Sequence, residues 1–314
     1  MPHLRSKTGR RKSVRGAAQT ILVALLCAGA VCAGDAAYRQ SVEKWRHAYE
    51  EGLKADTGWL TVSGLFWLHE GENRFGSDPL NDIVLPASSA PAEAGVFTLR
   101  GGKVSVHVNS GVPATLQGKP LQKADLRPDK TEDWILFGDL TLYVHASGER
   151  FSIRLRDKNS RVRRAFTGAK WFPIDESYAV KAKYVAYDSP KKLDSQNILG
   201  DPIKMPIVGY LTFTLKGQEY RLEAGLHDTG RPGLFIVFRD LTSGKETYPA
   251  SRFLDIDDPE NGAKSKTVSL DFNKAYNPPC AYNPYTTCPL PLPANRMRVE
   301  IPAGEKIYKQ EHGL

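Results

Sequence analysis

The chain has 314 residues, 41% hydrophobic and 25% charged, which sets aside fibrous and disordered classes and leaves room for one large or two medium folded domains. Its formal charge is +8, yet six Lys/Arg and no Asp/Glu fall in residues 1–33, so only +2 remains once those six are set aside. A basic surface for nucleic acid is therefore not indicated.

In residues 1–33 a basic stretch (Arg5, Lys7, Arg10, Arg11, Lys12, Arg15) precedes the apolar, small-residue run "AAQTILVALLCAGAVCA". That order is the pattern of a secretory signal peptide, with cleavage expected after about Ala33. The run is short and rich in small residues for a membrane span. A periplasmic or secreted protein is expected, with membrane attachment only through this segment if it stays uncleaved. Residues 34–57 place Tyr38, Val42, Trp45, Tyr49 and Leu53 at spacings of four and three, which predicts one amphipathic helix ended by Gly58.

Beyond residue 57 the period changes to two. "KVSVHV" (103–108), "LTLYVH" (140–145), "RFSIRLR" (150–156), "YLTFTL" (210–215), "LFIVF" (234–238), "VSLDF" (268–272) and "MRVEI" (297–301) read as strands separated by Gly, Pro, Asn and Asp. The expected fold is mainly β: a first β domain over 58–147, then a larger sandwich or barrel-like β domain over 148–314.

The segment 271–296, "DFNKAYNPPCAYNPYTTCPLPLPANR", carries six prolines and four asparagines. Proline fixes its own backbone, removes an amide donor and pushes the preceding residue to extended conformations, so this stretch is not a central strand. Two readings stand side by side. One is a stiff clasp whose Asn277, Asn283 and Asn295 satisfy backbone groups orphaned by the prolines. The other is a pocket for a small polar or anionic molecule, with Asp240, Tyr248 and Arg252 from "FRDLTSGKETYPASRF" meeting Asp271, Asn273, Asn277 and Asn295. Arg154 and Asp157 in "SIRLRD" are further ligand-binding candidates, or an internal salt bridge.

For hydrolysis, Asp240 and Asp271 are the candidate acid/base pair. Cys280 and Cys288, the two cysteines beyond residue 33, are expected to form a disulfide in an oxidising compartment, worth about 2.6 kcal/mol by loop closure. As a nucleophile Cys280 would need a base such as His227 or His312. C-x7-C is not a usual zinc spacing, no metal site is expected and no cofactor class is indicated. Hydrolase elbows, zincin helices, P-loops and dinucleotide fingerprints are absent from the sequence.

Two resemblances add to this. "GLFWLHEGENRFGSDPLNDIVLP", "GVFTLRGGKVSVHV", "VPATLQGKPLQ" and "LFGDLTLYVH" resemble, in order and spacing, forkhead-associated (FHA) domains, which implies a small β-sandwich. Ser77 follows Gly76 where those domains carry a phosphothreonine-reading Arg, and "ASSAPAEAG" offers no His, so phosphopeptide binding is not implied. "GLFWLHEGENRFGSD", "FRDLTSGKETYPASRFL", "LDFNKAYNPPCAYNPYTTCPLPLPANR" and "IPAGEK" resemble the bacterial and archaeal family called domain of unknown function 1684, which implies kinship over nearly all of residues 34–314 and no activity. The leading functional expectation is an exported protein that binds a small polar or anionic ligand, with a hydrolase and a structural envelope protein as alternatives.

Overall fold

A computed structural model describes residues 15–227, 232–257 and 265–308. The helix expected over 34–57 is the later part of a longer one, α1 (Arg15–Lys54). Residues 15–33 hold no proline, and their Ala and Leu favour helix, so nothing stops it at residue 34. Among the described residues no helix is long and apolar enough to cross a membrane. By its internal contacts the chain falls into two units, residues 1–45 and 46–314. The described residues of the first are helical; the fold below belongs to the second.

Alternating residues build a β-sandwich over 62–157. Its strands are β1 (Val62–Trp67), β2 (Gly71–Gly76), β3 (Ile83–Val84), β4 (Gly95–Arg100), β5 (Lys103–Val108) and β6 (Ala114–Leu116). They continue as β7 (Lys119–Pro120), β8 (Lys123–Leu126), β9 (Ile135–Phe137), β10 (Leu140–Ser147) and β11 (Arg150–Asp157). One sheet has the order β1-β11-β10-β9-β6-β7, and the other β3-β2-β4-β5-β8. Phe75, Phe97, Val104 and Val106 from one sheet meet Leu142, Val144, Ile153 and Leu155 from the other in a shared core. The outer face of β10–β11 is polar, with Tyr143 opposite Arg154, His145 opposite Ser152 and Ser147 opposite Arg150. Those residues are nevertheless mostly buried, so a second layer covers them.

After α2 (Arg161–Ala165), that layer comes from an antiparallel sheet of β12 (Ala179–Gln196), β13 (Pro202–Leu215), β14 (Gln218–Gly225), β15 (Leu234–Phe238), β16 (Arg252–Ile256) and β17 (Ser265–Asp271). Its spatial order is β16-β15-β14-β13-β12-β17. The β12–β13 ladder shifts register between Ala186 and Lys191, and beyond the shift the hairpin projects to a tip at 197–201. Asn197 fixes that tip by accepting from Leu199 N at 2.9 Å and Asp201 N at 3.0 Å. The tip docks on the β10–β11 turn, where Asp201 accepts from Ser147 Oγ at 2.7 Å and from Arg150 at 2.6 Å. Hydrogen bonds from Ser147 and Arg150 hold the Asp201 carboxyl down to about 2.

The proline-rich segment leaves β17 and crosses the inner face of this sheet as a strap over 272–306. Phe272, Ala275, Met297, Ile301 and Ala303 seal a core against Leu211, Leu222, Ile236, Phe238 and Leu254. "MRVEI" alternates in burial as a strand does but forms no strand. Arg239 bridges Arg296, Met297 N donates to Arg239 O at 2.8 Å, and Leu241 N donates to Val299 O at 3.0 Å. The pairing stops there because Asp240–Thr247 turns away from the sheet edge.

Candidate functional site

The structure brings Asp240 and Arg252 together and buries both. Arg252, first in β16, is 1% exposed. Its Nη1 donates to Asp240 Oδ2 at 2.5 Å and Ile301 O at 3.0 Å, and its Nη2 donates to Ala303 O. Asp240 also accepts from the backbone and hydroxyl of Thr242, at 2.6 and 2.5 Å. These bonds pin the strap's end to the 240–247 turn.

Asp271 is engaged elsewhere, accepting from Asn273 N at 3.0 Å and Asn273 Nδ2 at 3.1 Å. Asn273 also exchanges bonds with the backbone of Asp175, at 3.0 and 2.8 Å. Asp240 and Asp271 thus each close on their own partners. Asn295 ties β14 to β15, accepting from Glu223 N at 2.7 Å and donating to Glu223 O at 3.0 Å and Val237 O at 2.9 Å. Asn283 Nδ2 donates to Trp59 O at 3.2 Å, and Tyr248 OH donates to Cys280 O at 3.0 Å. Burial raises the Tyr248 hydroxyl well above its usual range. Asp157 shapes its own turn, accepting from Asn159 N at 2.7 Å. His227 stands 3.1 Å from Asp255, and His312 lies outside the described residues.

Glu305, in "IPAGEK", was not singled out by sequence reasoning, yet it is the centre of a buried polar cluster. Gly304 precedes it at φ +80, where an added Cβ would stand 2.4 Å from Ala275 O, so only glycine permits this approach. Glu305 accepts from Asn277 N at 2.7 Å, from Tyr49 OH at 3.3 Å and from Tyr282 OH. Asn277 Nδ2 in turn donates to Lys306 O at 2.8 Å. Burial raises the Glu305 carboxyl to about 7, against the lowering effect of the hydrogen bonds it accepts. The folded chain therefore holds a proton that the unfolded chain releases near 4.3. Stability from this group is full below that value, falls as pH rises, and stays low above about 7. Glu305→Gln is expected to abolish that share of the decline: the melting-temperature difference between variant and wild type should move in the variant's favour from pH 5 to 7.5. A difference constant across that range would contradict it.

A third cluster lies where β10–β11, the hairpin tip and the strap meet. Arg154 is 4% exposed and points from the outer face of β11. Among the described residues its one hydrogen bond runs from Nη2 to Thr287 Oγ1 at 3.4 Å and its buried Nε has no partner; the Tyr143 ring lies 5.9 Å away. Neighbouring Arg156 is held differently, by Thr57 O at 2.8 Å and Gly58 O at 2.7 Å among the rings of Trp59, Trp134 and Tyr143. Thr287 Oγ1 also meets His145 Nε2 at 2.8 Å, and His145 Nδ1 meets Asp129 Oδ1 at 2.7 Å.

Beside Thr287, Cys280 and Cys288 stand as free thiols rather than the expected disulfide, with Cys280 N donating to Cys288 Sγ at 3.2 Å. Burial opposes ionisation of Cys288, but hydrogen bonds from the Cys280 thiol and amide, with Arg154's charge, outweigh it and lower its pKa. The same thiol pairing, with burial, raises Cys280. Among the described residues no group of three or more His, Cys, Asp or Glu is arranged to hold a metal ion.

Arg154 was legible as a candidate; His145, Asp129 and Thr287 were not. The signal was the outward stripe Tyr143, His145, Ser147 facing Arg154, Ser152 and Arg150, polar where a solvated strand face was the ordinary reading.

Comparison with curated proteins gave no match. The chain is similar to an uncharacterised protein of Haloarcula marismortui solved by NMR, at 31% identity over 48% of this chain and 81% of that one, with a TM-score of 0.40. It is also similar to the FhaA FHA domain, at 20% identity over 29% of this chain and 97% of that domain, with a TM-score of 0.22. The family match begins at residue 164, so "GLFWLHEGENRFGSD" lies outside it, and the kinship is carried by the C-terminal sheet and strap. Through residues 164–306 the chain belongs to the family described as protein of unknown function (DUF1684).

Proposed function

We propose that this is an exported protein that binds a small anion at Arg154, between β10–β11 and strap residues 286–288. The observation that carries the reading is a buried guanidinium with, among the described residues, one long hydrogen bond and no carboxylate partner. A buried charge left without a counter-charge costs several kcal/mol. Arg252 meets that requirement with Asp240; Arg156 has no counter-charge among the described residues but donates to two carbonyl oxygens at 2.8 and 2.7 Å, a pair of short bonds that Arg154 lacks. For Arg154 a carboxylate or similar oxyanion, bound by two parallel N–H donors, meets it. The ligand-binding reading thus moves from Arg252, which is closed by its own partners, to Arg154. Export is supported by the basic-then-apolar order of residues 1–33.

The test is calorimetric titration of the full chain with acetate, succinate, phosphate and sulfate at fixed ionic strength. At least one anion is expected to bind, and Arg154→Gln to weaken it about tenfold or more, a loss of 1.4 kcal/mol or above. Equal binding by wild type and variant, or none by either, would overturn the proposal.

A further inference from the structure

We infer that Asp129, His145 and Thr287 form a nucleophilic relay and that the Arg154 site hydrolyses esters of small carboxylic acids. The inference rests on the anion-binding reading, since the bound anion is then the carboxylate product.

The chemistry follows from which atoms can donate. Asp129 Oδ1, as a carboxylate oxygen, only accepts, so the contact of 2.7 Å places a proton on His145 Nδ1. In the neutral ring Nε2 is then an acceptor, and the contact of 2.8 Å is a hydrogen bond donated by the Thr287 hydroxyl. Arg154 Nη2 donates to the same oxygen at 3.4 Å. An acid thus orients a base, the base is bonded to a hydroxyl, and a cation lies beside that hydroxyl: the geometry required of an activated nucleophile. A stability role accounts for it less completely. His145 already has its Nδ1 satisfied through Asp129, whose own side chain is 49% exposed, and a brace needs no buried arginine held by a single long hydrogen bond at its end. Thr287 is only part-buried, as a group that must meet substrate has to be.

In the reaction Thr287 Oγ forms a bond to the ester carbonyl carbon as its proton passes to His145 Nε2. Negative charge develops on the carbonyl oxygen, where Arg154 supplies N–H donors. Collapse breaks the bond to the alkoxy oxygen, which takes the proton from Nε2 and leaves as an alcohol. Water, deprotonated by the same nitrogen, attacks the acyl-threonine. The carboxylic acid departs, and Thr287 regains its proton.

The experiment uses the full chain with 4-nitrophenyl acetate and 4-nitrophenyl butyrate, reading nitrophenolate release and, by peptide mass spectrometry after an acid quench, acylation of Thr287. Thr287→Val and His145→Gln are expected to lower kcat/KM by about 100-fold or more, while Thr287→Ser retains turnover and carries the acyl group. Turnover equal in wild type and Thr287→Val, or none above buffer in wild type, overturns the relay. The binding reading is judged separately, by whether Arg154→Gln loses the anion, so the two can fail independently.

Discussion

Asp240→Ala is expected to lower the unfolding free energy by about 3–5 kcal/mol, because it removes the counter-charge of a fully buried arginine. Asp240 and Arg252 have side-chain exposures of 0% and 1%, so water cannot stand in for the lost carboxylate. Two strap carbonyls would still accept from Arg252, but they carry no net charge. Thr242, which gives both its amide and its hydroxyl to Asp240, would be left short as well. Urea unfolding of wild type and variant measures the loss. The double variant Asp240→Leu with Arg252→Met should recover most of it, since exchanging a buried pair for apolar residues of similar volume is often neutral or stabilising. A single variant within about 1 kcal/mol of wild type would show that the pair is dispensable.

Phe272→Ala is the second large effect, expected at about 3–5 kcal/mol for an aromatic side chain removed from a core. Phe272 is fully buried at the point where β17 becomes the strap. Its ring meets Phe213 at 5.8 Å and Phe238 at 5.5 Å between centroids, so it joins the strap to β13 and β15. The neighbouring backbone is held by Asp271 and Gly304, which limits collapse into the cavity. Denaturant unfolding gives the value; a cost below about 1.5 kcal/mol would mean that the strap resettles over the hole.

What the sequence disclosed follows from the range of the forces involved. β5 and β15 fall on the residues the alternation marked, because period two is imposed by the two faces of each strand itself. The prolines and asparagines of the strap were legible as a brace, one of two readings, for the same local reason, and Asn277 and Asn295 spend their side chains on backbone groups. "MRVEI" misleads because burial alternates along it, whereas a ladder also needs a partner edge that continues, and Asp240–Thr247 removes it. Arg154 was visible, but its relation to Thr287 spans 133 positions and depends on how the strap lands on another sheet. No local period records such a meeting. The N-terminal helix was visible in its second half, where the aromatic stripe lies, and longer than expected because nothing between residues 15 and 34 breaks it.

The bond from Tyr49 to Glu305 joins positions 256 apart, and Asn283 reaches Trp59 across 224. Contacts so distant along the chain tie up much conformational freedom before they return any stabilisation, which makes the search for the native state slow. The strap follows β17, the last strand of the C-terminal sheet, so the apolar face it covers stays bare until residues 272–306 have docked. A folding intermediate that has this sheet without its strap therefore exposes an apolar face that invites aggregation.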